Sequence, residues 1–200
     1  WQRARLFTTI EDLLTVGFVT RELTPMFERA GAVTLLARER DTAPEVIVDE
    51  GSRGYAETGL WGDGPTGFGL RASYGDGENP FRLGRSREAV GGARARHTAT
   101  WTPDLPEAGR YAVHVSYAAG ADRSEAARYT VVHAGGTTDV LVNQSIGAGT
   151  WVYLGTFEFE AGSRGRVTLV VGTDGTVSAD AVRFGGGEGV IRRGAGTSGR

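Results

Sequence analysis

The sequence predicts a mainly β protein, in which an antiparallel β-sandwich follows a helix and a strand from a flanking α/β domain. Three observations lead to this prediction. Beyond Phe68, apolar and polar residues alternate with the period of strands that have one buried face. Strand-like runs recur about every ten to fifteen residues, and the Gly-bearing links between them are too short for the crossovers that parallel strands need. Glycine, at 32 residues, lacks the regular repeat of collagen and indicates many tight turns.

Composition and charge narrow the class of protein. Apolar residues make up 40% and charged residues 23% of the chain, which is typical of a globular protein. The 22 basic residues are all arginine and form no block, and the net charge is only -2, so nucleic acid is not an expected partner. No apolar run approaches the roughly 20 residues that cross a bilayer, and no membrane span is expected. Because the chain starts at Trp1, we expect it to be an excerpt of a longer polypeptide.

The first forty residues predict a helix followed by a strand. Apolar residues between Thr8 and Arg29 recur at three- and four-residue spacing, which marks one face of a helix. Thr8 and Glu11 match the capping box that opens helices. The short apolar run at 32–37 is typical of a buried strand. Together they predict half of an α/β unit.

A linker-like composition separates this segment from the strand-rich region. Residues 42–64 are rich in Gly, Pro, Asp and Glu around a brief strand at 46–48. We therefore expect a helix-strand segment at 1–50 and the sandwich at 51–187. The glycine-rich stretch 188–200 has no periodicity and is expected to be a return linker.

Six runs are predicted to be strands of the sandwich. They are 111–117, Arg128–His133, Asp139–Asn143, Trp151–Phe159, Arg166–Val171 and Val177–Phe184. In the first run, Tyr111, Val113, Val115 and Tyr117 should face the core, which puts His114 on the other, exposed side. In the fourth, strict alternation puts Trp151, Tyr153, Phe157 and Phe159 on one buried face.

Five motifs occur in order along the strand-rich region. They are WTPDLPEAGRY at Trp101–Tyr111, ARYTVVH at Ala127–His133, VNQ at Val142–Gln144, WVYLG at Trp151–Gly155 and ADAVRF at Ala179–Phe184. Together they resemble the golvesin C-terminal/xanthan lyase carbohydrate-binding-like domain over about residues 60–187. The resemblance implies a jelly-roll, galactose-binding-like sandwich of the kind that accompanies polysaccharide-active enzymes.

The N-terminal segment resembles a second family. TIEDLL at Thr9–Leu14, LTPMFERAGAV at Leu23–Val33 and ARERD at Ala37–Asp41 are similar to zinc-dependent N-acetylmuramoyl-L-alanine amidases, which cleave peptidoglycan. The resemblance implies that Glu11 is a zinc ligand, although the capping box already gives this residue a structural role. It also implies that the two His ligands and the catalytic Glu lie outside the chain, so that the sandwich is an insertion in a split amidase domain.

Nothing in the strand-rich region predicts catalysis. His97, His114 and His133 lack the spacing of a hydrolytic zinc site, and no Gly-x-Ser-x-Gly motif is present. We expect no cofactor in the sandwich, and zinc only in the parent amidase. The sequence leaves open whether the parent protein is an active hydrolase.

Sugar recognition joins an aromatic platform with polar side chains that bind hydroxyl groups. The candidates for ligand binding are Trp61, Tyr74, Asn143, Gln144 and Trp151. Trp61 and Tyr74 lie in loops where they could be exposed. Trp151 flanks a strand and is also suited to packing, and Asn143 and Gln144 could instead bind the backbone of the following turn. Asp180, between two alanines, is predicted to be a buried hydrogen-bonding partner and not a ligand contact.

The expected function is that of a non-catalytic accessory module that binds or is positioned on polysaccharide or peptidoglycan. Its other partner would be the flanking amidase-like domain, and the resemblance implies a secreted or cell-envelope protein of bacteria. One alternative is a purely structural insertion that shapes the amidase domain without binding glycan. Another is a fragment of an enzyme that has lost its activity.

Overall fold

The computed structural model describes residues 43–93, 96–172 and 174–186. The predicted helix and strand of the N-terminal segment, Glu11 and the linker 188–200 lie outside these residues. The strands are β1 (Val46–Val48), β2 (Tyr55–Thr58), β3 (Gly62–Gly67), β4 (Gly84–Val90), β5 (Thr98–Trp101), β6 (Gly109–Val115), β7 (Ala127–His133), β8 (Gly136–Val142), β9 (Val152–Phe159), β10 (Arg166–Val170), β11 (Thr176–Ala179) and β12 (Val182–Phe184). A short 3-10 helix, Pro80–Arg82, lies between β3 and β4.

The strands form three antiparallel sheets. The five-stranded sheet has the order β2-β5-β10-β7-β8, and the four-stranded sheet has the order β1-β12-β6-β9. The three-stranded sheet has the order β11-β4-β3. Because β11 and β12 are separated only by Asp180 and Ala181, the chain passes directly from the three-stranded to the four-stranded sheet. The predicted antiparallel sandwich is therefore confirmed.

One main core lies between the five-stranded sheet and the other two sheets. Trp101, Tyr129 and Leu169 of the five-stranded sheet belong to the same buried cluster as Tyr111 and Phe184 of the four-stranded sheet. The alternation in β6 is as predicted, since Tyr111, Val113 and Val115 are fully buried in this core. Each such side chain contributes about 1.5–3 kcal/mol relative to an exposed position.

A second, smaller core lies on the outer face of the four-stranded sheet. It joins Phe68, Trp151 and Ala181 with the half-buried Ile47, Tyr74 and Phe81. Since Val48 and Phe184 belong to the main core, alternation along β1 and β12 directs Ile47 and Arg183 to this outer face. The β3–β4 segment, residues 68–83, supplies most of the rings that cover it. We call this second core, with its three buried and three half-buried residues, the aromatic cluster.

The position of His114 differs from the prediction. The strand alternation is correct, but the outer face is covered, and His114 is only 7% exposed. Its ring lies 5.3 Å from that of Tyr153, and its Nδ1 lies 3.1 Å from the guanidinium of Arg183. Burial and the neighbouring Arg183 charge lower the pKa of His114 to about 3. The imidazole is therefore neutral and accepts a hydrogen bond from Arg183.

The predicted aromatic face of β9 is also wrong, because one extra residue interrupts the alternation. In the pairing of β6 with β9, Val113 lies opposite Gly155 and His114 opposite Tyr153, so Leu154 has no partner. Gly155 has a φ of 147°, which L-residues rarely adopt. Leu154 consequently enters the main core together with Phe159, whereas Tyr153 is 39% exposed.

The two ends of the sandwich lie side by side. Val46 of β1 pairs with Phe184 of β12, and the backbone N–H of Gly186 donates to the carbonyl of Ala43 at 3.0 Å. The strand Val46–Val48 precedes residue 51, where the sequence analysis placed the start of the module. Its pairing with β12 makes it part of the sandwich. Within the part of the chain that the structure describes, no helix has both the length and the apolar character of a membrane span.

Candidate functional site

An open cleft of about 670 Å³ lies at the end of the four-stranded sheet where β6 ends and β12 begins. Its lining comes from four separate parts of the chain around Asp180. The lining residues are Pro65, Thr66, Gly67, Asn79, Phe81, Arg82, Ser116, Tyr117, Ala118, Ala119, Ala148, Gly149 and Asp180. We call this feature the cleft.

Asp180 lies at the floor of the cleft and is 1% exposed. Both of its carboxylate oxygens accept from the backbone N–H of Phe68 at 3.0 Å, and Oδ2 also accepts from the hydroxyl of Ser116 at 2.5 Å. The indole N–H of Trp101 donates to its backbone carbonyl at 3.0 Å. Asp180 is thus a buried hydrogen-bonding partner, as predicted.

Two buried carboxylates near the cleft titrate well above their usual range. Burial raises the pKa of Asp180 to about 7, against the hydrogen bonds from Ser116 and Phe68, which lower it. Burial likewise raises the pKa of Asp49 to about 6, and the hydrogen bond from the N–H of Leu70 opposes that shift. Each carboxyl group therefore changes its charge near neutral pH.

The 3-10 helix forms one wall of the cleft. Asn79 caps this helix, because its Oδ1 accepts from the N–H of Phe81 at 3.0 Å, and Pro80 fits the first helical position. The Phe81 ring packs against Phe68 and Trp151, with ring centroids 5.5 Å apart in both pairs. Arg82 is exposed, and its guanidinium makes no ion pair or hydrogen bond with the described residues. This wall combines an aromatic ring with hydrogen-bond donors.

The opposite wall consists of the residues that follow β6 and those that precede β9. The hydroxyl of Tyr117 donates to the carbonyls of Asn143 and Ile146, at 3.2 and 2.9 Å. The N–H of Ala118 donates to the Ser178 hydroxyl at 3.0 Å. A Cβ at Gly147 would lie 2.8 Å from the Tyr117 hydroxyl, so only glycine permits this approach. The remaining residues of this wall, Ala118, Ala119, Ala148 and Gly149, have small or no side chains.

The three aromatic candidates from the sequence analysis do not line the cleft. Trp61 is half-buried against the main core and donates its indole N–H to the carbonyl of Thr58 at 3.1 Å. Tyr74 and Trp151 belong to the aromatic cluster, where Trp151 is 7% exposed and lies 5.4 Å beneath the guanidinium carbon of Arg183. The packing alternative is thus the one that the structure shows for Trp151. Both rings support the cleft wall from behind.

The two amide candidates are engaged by the protein itself. The exposed Asn143 accepts through Oδ1 from the N–H and the hydroxyl of Ser145, at 2.8 and 2.7 Å, which is an Asx turn. Gln144 is fully buried, and its amide bonds the Tyr129 hydroxyl and both backbone groups of Ser178, each at 2.8 Å. A ligand could reach Gln144 only if the main core opened.

Sequence reasoning missed Asn79, Phe81 and Arg82. These residues lie between β3 and β4, where the sequence shows neither the period of a strand nor that of an α-helix. The run Asn79-Pro80-Phe81-Arg82 does carry a signal, since an Asx residue before a proline is typical of a helix or turn start. That signal predicts the turn but not its position beside Asp180.

His133 lies at the opposite end of the sandwich from the cleft. Its Nδ1 accepts from the N–H of Gly135 at 3.2 Å, and its Nε2 lies 3.0 Å from the hydroxyl of Thr138. This hydrogen bonding within a turn is the role that its strand-end position suggests. Across residues 43–93, 96–172 and 174–186, no group of three or more His, Cys, Asp or Glu side chains is arranged to hold a metal.

Comparisons with known proteins agree on one family. Residues 46–186 match the family model of the Golvesin C-terminal domain. A xanthan lyase of Bacillus sp. (strain GL1) is 40% identical over 147 residues, which cover 70% of this chain and 14% of that enzyme. The chain thus spans only a small part of this relative.

The solved structure of one such enzyme gives the same result. The structure of Paenibacillus xanthan lyase superposes with a TM-score of 0.60 at 31% identity, covering 70% of this chain and 13% of that enzyme. A family 35 carbohydrate-binding module from Cellvibrio japonicus Abf62 has a TM-score of 0.46 at 18% identity, covering 72% of this chain and 94% of that module.

Proposed function

Because the chain belongs to the Golvesin C-terminal domain family, we propose that its sandwich is a non-catalytic accessory module that binds polysaccharide in the cleft. The family has the character of a carbohydrate-binding module, and the resemblance to xanthan lyase covers the whole sandwich. The target would be a cell-wall or extracellular polysaccharide, including peptidoglycan. Such a ligand places the protein in the envelope or outside the cell.

The observation that carries this proposal is the combination of groups on the 3-10 helix wall. The Phe81 ring offers an apolar surface for the C–H face of a sugar, and the Arg82 guanidinium offers donors for its oxygens. Across the cleft, Ala118 and Gly149 line the opposite wall and have no bulky side chain that would fill the opening. Aromatic contact and polar contact thus converge on one opening, as sugar recognition requires.

The position of the cleft favours a ligand outside the parent protein over a purely structural role. β12 runs from Asp180, at the cleft, towards Gly186, where the chain leaves beside Ala43. The three residues of β12 alone span about 10 Å. The cleft therefore opens at the other end of β12 from Gly186 and Ala43, which favours an external ligand over contact with a flanking domain.

The side-by-side ends also support an insertion in a larger protein. A domain whose termini lie close together can be inserted in a loop of another domain without separating its halves. We propose that the parent is a zinc-dependent N-acetylmuramoyl-L-alanine amidase, in which Glu11 would be a zinc ligand. The zinc would activate water against an amide, and the sandwich would hold the enzyme on its polymer.

Retention of the whole chain on insoluble peptidoglycan and on a panel of acidic and neutral polysaccharides tests the binding function. With the polymer that retains the wild type, Arg82→Ala should weaken binding about tenfold, since it removes a charged hydrogen-bond donor. The matched control is Arg166→Ala, which removes an exposed arginine at the start of β10, away from the cleft lining. Its affinity should equal that of the wild type.

Two results would contradict the proposal. Equal weakening by both arginine variants would indicate a diffuse charge effect and not a site. A wild-type chain that no polymer retains would favour the structural insertion instead.

A further inference from the structure

The β3–β4 segment, which carries the ring and the donors of the cleft, is attached through two buried carboxylates. Asp180 accepts from the N–H of Phe68 at 3.0 Å, and Asp49 accepts from the N–H of Leu70 at 2.9 Å. The approach to Asp180 is close, because a Cβ at Gly67 would lie 2.5 Å from its Oδ1. These contacts fix the start of the segment whose 3-10 helix forms the cleft wall.

Of these two carboxylates, only Asp180 also contacts the opposite wall of the cleft, which follows β6. Its Oδ2 accepts from the hydroxyl of Ser116, the residue directly before Tyr117. A single carboxylate therefore joins the end of β3 to the end of β6, and the cleft lies between those two points. Asp49 does not line the cleft and contacts only one of its walls.

We propose that Asp180 is the positioning residue of the cleft: its carboxylate sets the separation of the two walls and makes glycan affinity depend on pH. This inference rests on the proposed function, because it concerns the same site. Asp180 acts through Phe68 and Ser116, and it touches no ligand in this role.

The charge of Asp180 decides how firmly it holds the walls. An ionised carboxylate accepts hydrogen bonds roughly twice as strongly as a neutral group. The pKa of Asp180, raised to about 7 by burial, puts this change near neutrality. Asp49 and Glu50 face it after β1 and raise its pKa, and the buried phenol of Tyr129 lies near it in the core. Across the cleft lie Tyr117 and the cation of Arg82.

The direction of the pH effect follows from these groups. Above the pKa, the ionised carboxylate holds Phe68 and Ser116 more strongly, so the cleft should bind better. Below it, the protonated carboxyl group holds them weakly, and affinity should fall. The contribution of Asp180 to the free energy of unfolding has the opposite pH dependence. Because the folded state binds this proton more tightly than the unfolded state, stability falls as the pH rises from about 4 to about 7. Affinity and stability should therefore change in opposite directions through Asp180.

The test follows the backbone amide signal of Phe68 by NMR in the full chain without ligand, and polysaccharide affinity in parallel, from about pH 5 to about pH 8.5. In the wild type, the Phe68 signal should titrate near the pKa of Asp180, and affinity should fall about tenfold on acidification. In Asp180→Asn, the titration of Phe68 should disappear. Its affinity should be low and independent of pH.

Two further variants keep the test informative if Asp180→Asn folds poorly. Ser116→Ala removes a donor that favours the ionised form, so the midpoint of the Phe68 titration should move to higher pH. Asp49→Asn removes a neighbouring carboxylate that raises the pKa of Asp180, so the midpoint should move slightly lower.

The proposal is overturned if Phe68 titrates in Asp180→Asn as in the wild type, or if that variant keeps the pH dependence of affinity. A wild type that binds no polysaccharide, but whose Phe68 titration depends on Asp180, would contradict the proposed function and leave the joining of the walls supported. The two failures are thereby distinguishable.

Discussion

The main core and the aromatic cluster both bury aromatic rings, but they are built from different groups. The main core consists of aliphatic and aromatic side chains, such as Val131 and Leu169, that belong to regular strands. The aromatic cluster packs its rings against ionisable groups, since Arg183 lies over Trp151 and Asp180 binds the N–H of Phe68. The first arrangement stabilises the sandwich, whereas the second shapes the cleft and makes it sensitive to pH.

Truncation of one residue in each region should separate these two roles. Leu169→Ala removes a fully buried side chain of the main core and should lower the free energy of unfolding by about 3–4 kcal/mol. Trp151→Ala should lower it by a similar amount, about 3 kcal/mol. Denaturant unfolding measures both changes.

Only the second variant should affect ligand binding. Trp151 supports Phe81, with ring centroids 5.5 Å apart, so its loss should weaken polysaccharide binding about tenfold. Leu169→Ala should bind like the wild type once the folded fraction is taken into account. Equal polysaccharide affinities for the two variants would show that the aromatic cluster has no more effect on binding than the main core.

A smaller effect should appear in the acid stability of the aromatic cluster. The pKa of His114 is lowered to about 3, so the folded state resists a proton that the unfolded state accepts at its ordinary pKa. The stability contributed by neutral His114 is present above about pH 6.5 and is lost as the pH falls towards 3. At about pH 5, this loss amounts to about 2 kcal/mol.

Asp49 and Asp180 act in the opposite direction over an overlapping range, so the wild type alone does not isolate the effect. The comparison is with His114→Gln, which keeps an acceptor for Arg183 but does not titrate. The difference in unfolding free energy between the two proteins should change by about 2 kcal/mol between about pH 7 and about pH 5, in favour of the variant at low pH. A constant difference would show that His114 has the same pKa in the folded and unfolded states, which contradicts its burial as a neutral imidazole.

The sequence was sufficient for the features that depend on strand periodicity. The alternation in β6 predicted the burial of Tyr111, Val113 and Val115, and short glycine-bearing links predicted antiparallel pairing. These predictions succeed because a strand's own period decides which face each side chain takes.

The same period fails where distant segments or irregular backbone intervene. His114 lies on a face expected to meet solvent but is buried, because Tyr153 and Arg183 pack against it. Tyr153 faces outward because Leu154 adds one residue opposite β6, which inverts the pattern on one side of it. The first cause lies outside the run of residues from which the prediction was made, and the second becomes visible only in the pairing of β9 with β6.

The candidate site was the least predictable part for the same reason. Arg82, Tyr117, Gly149 and Asp180 come from four segments that only tertiary contacts bring together. Aromatic content pointed to Trp151, which supports the cleft from behind the wall. The aromatic residues of the sequence thus indicated the region around Trp151. The surface that a ligand can reach depends on the path of the β3–β4 segment, which the sequence does not predict.

The most direct test of the central claim is a map of backbone amide shifts when an oligosaccharide from the retained polymer is added to the labelled full chain. The account predicts that the largest shifts fall on Phe81, Arg82, Tyr117 and Ala118, on both walls of the cleft. Shifts centred on Trp61 or on the five-stranded sheet, with the cleft unchanged, would contradict it.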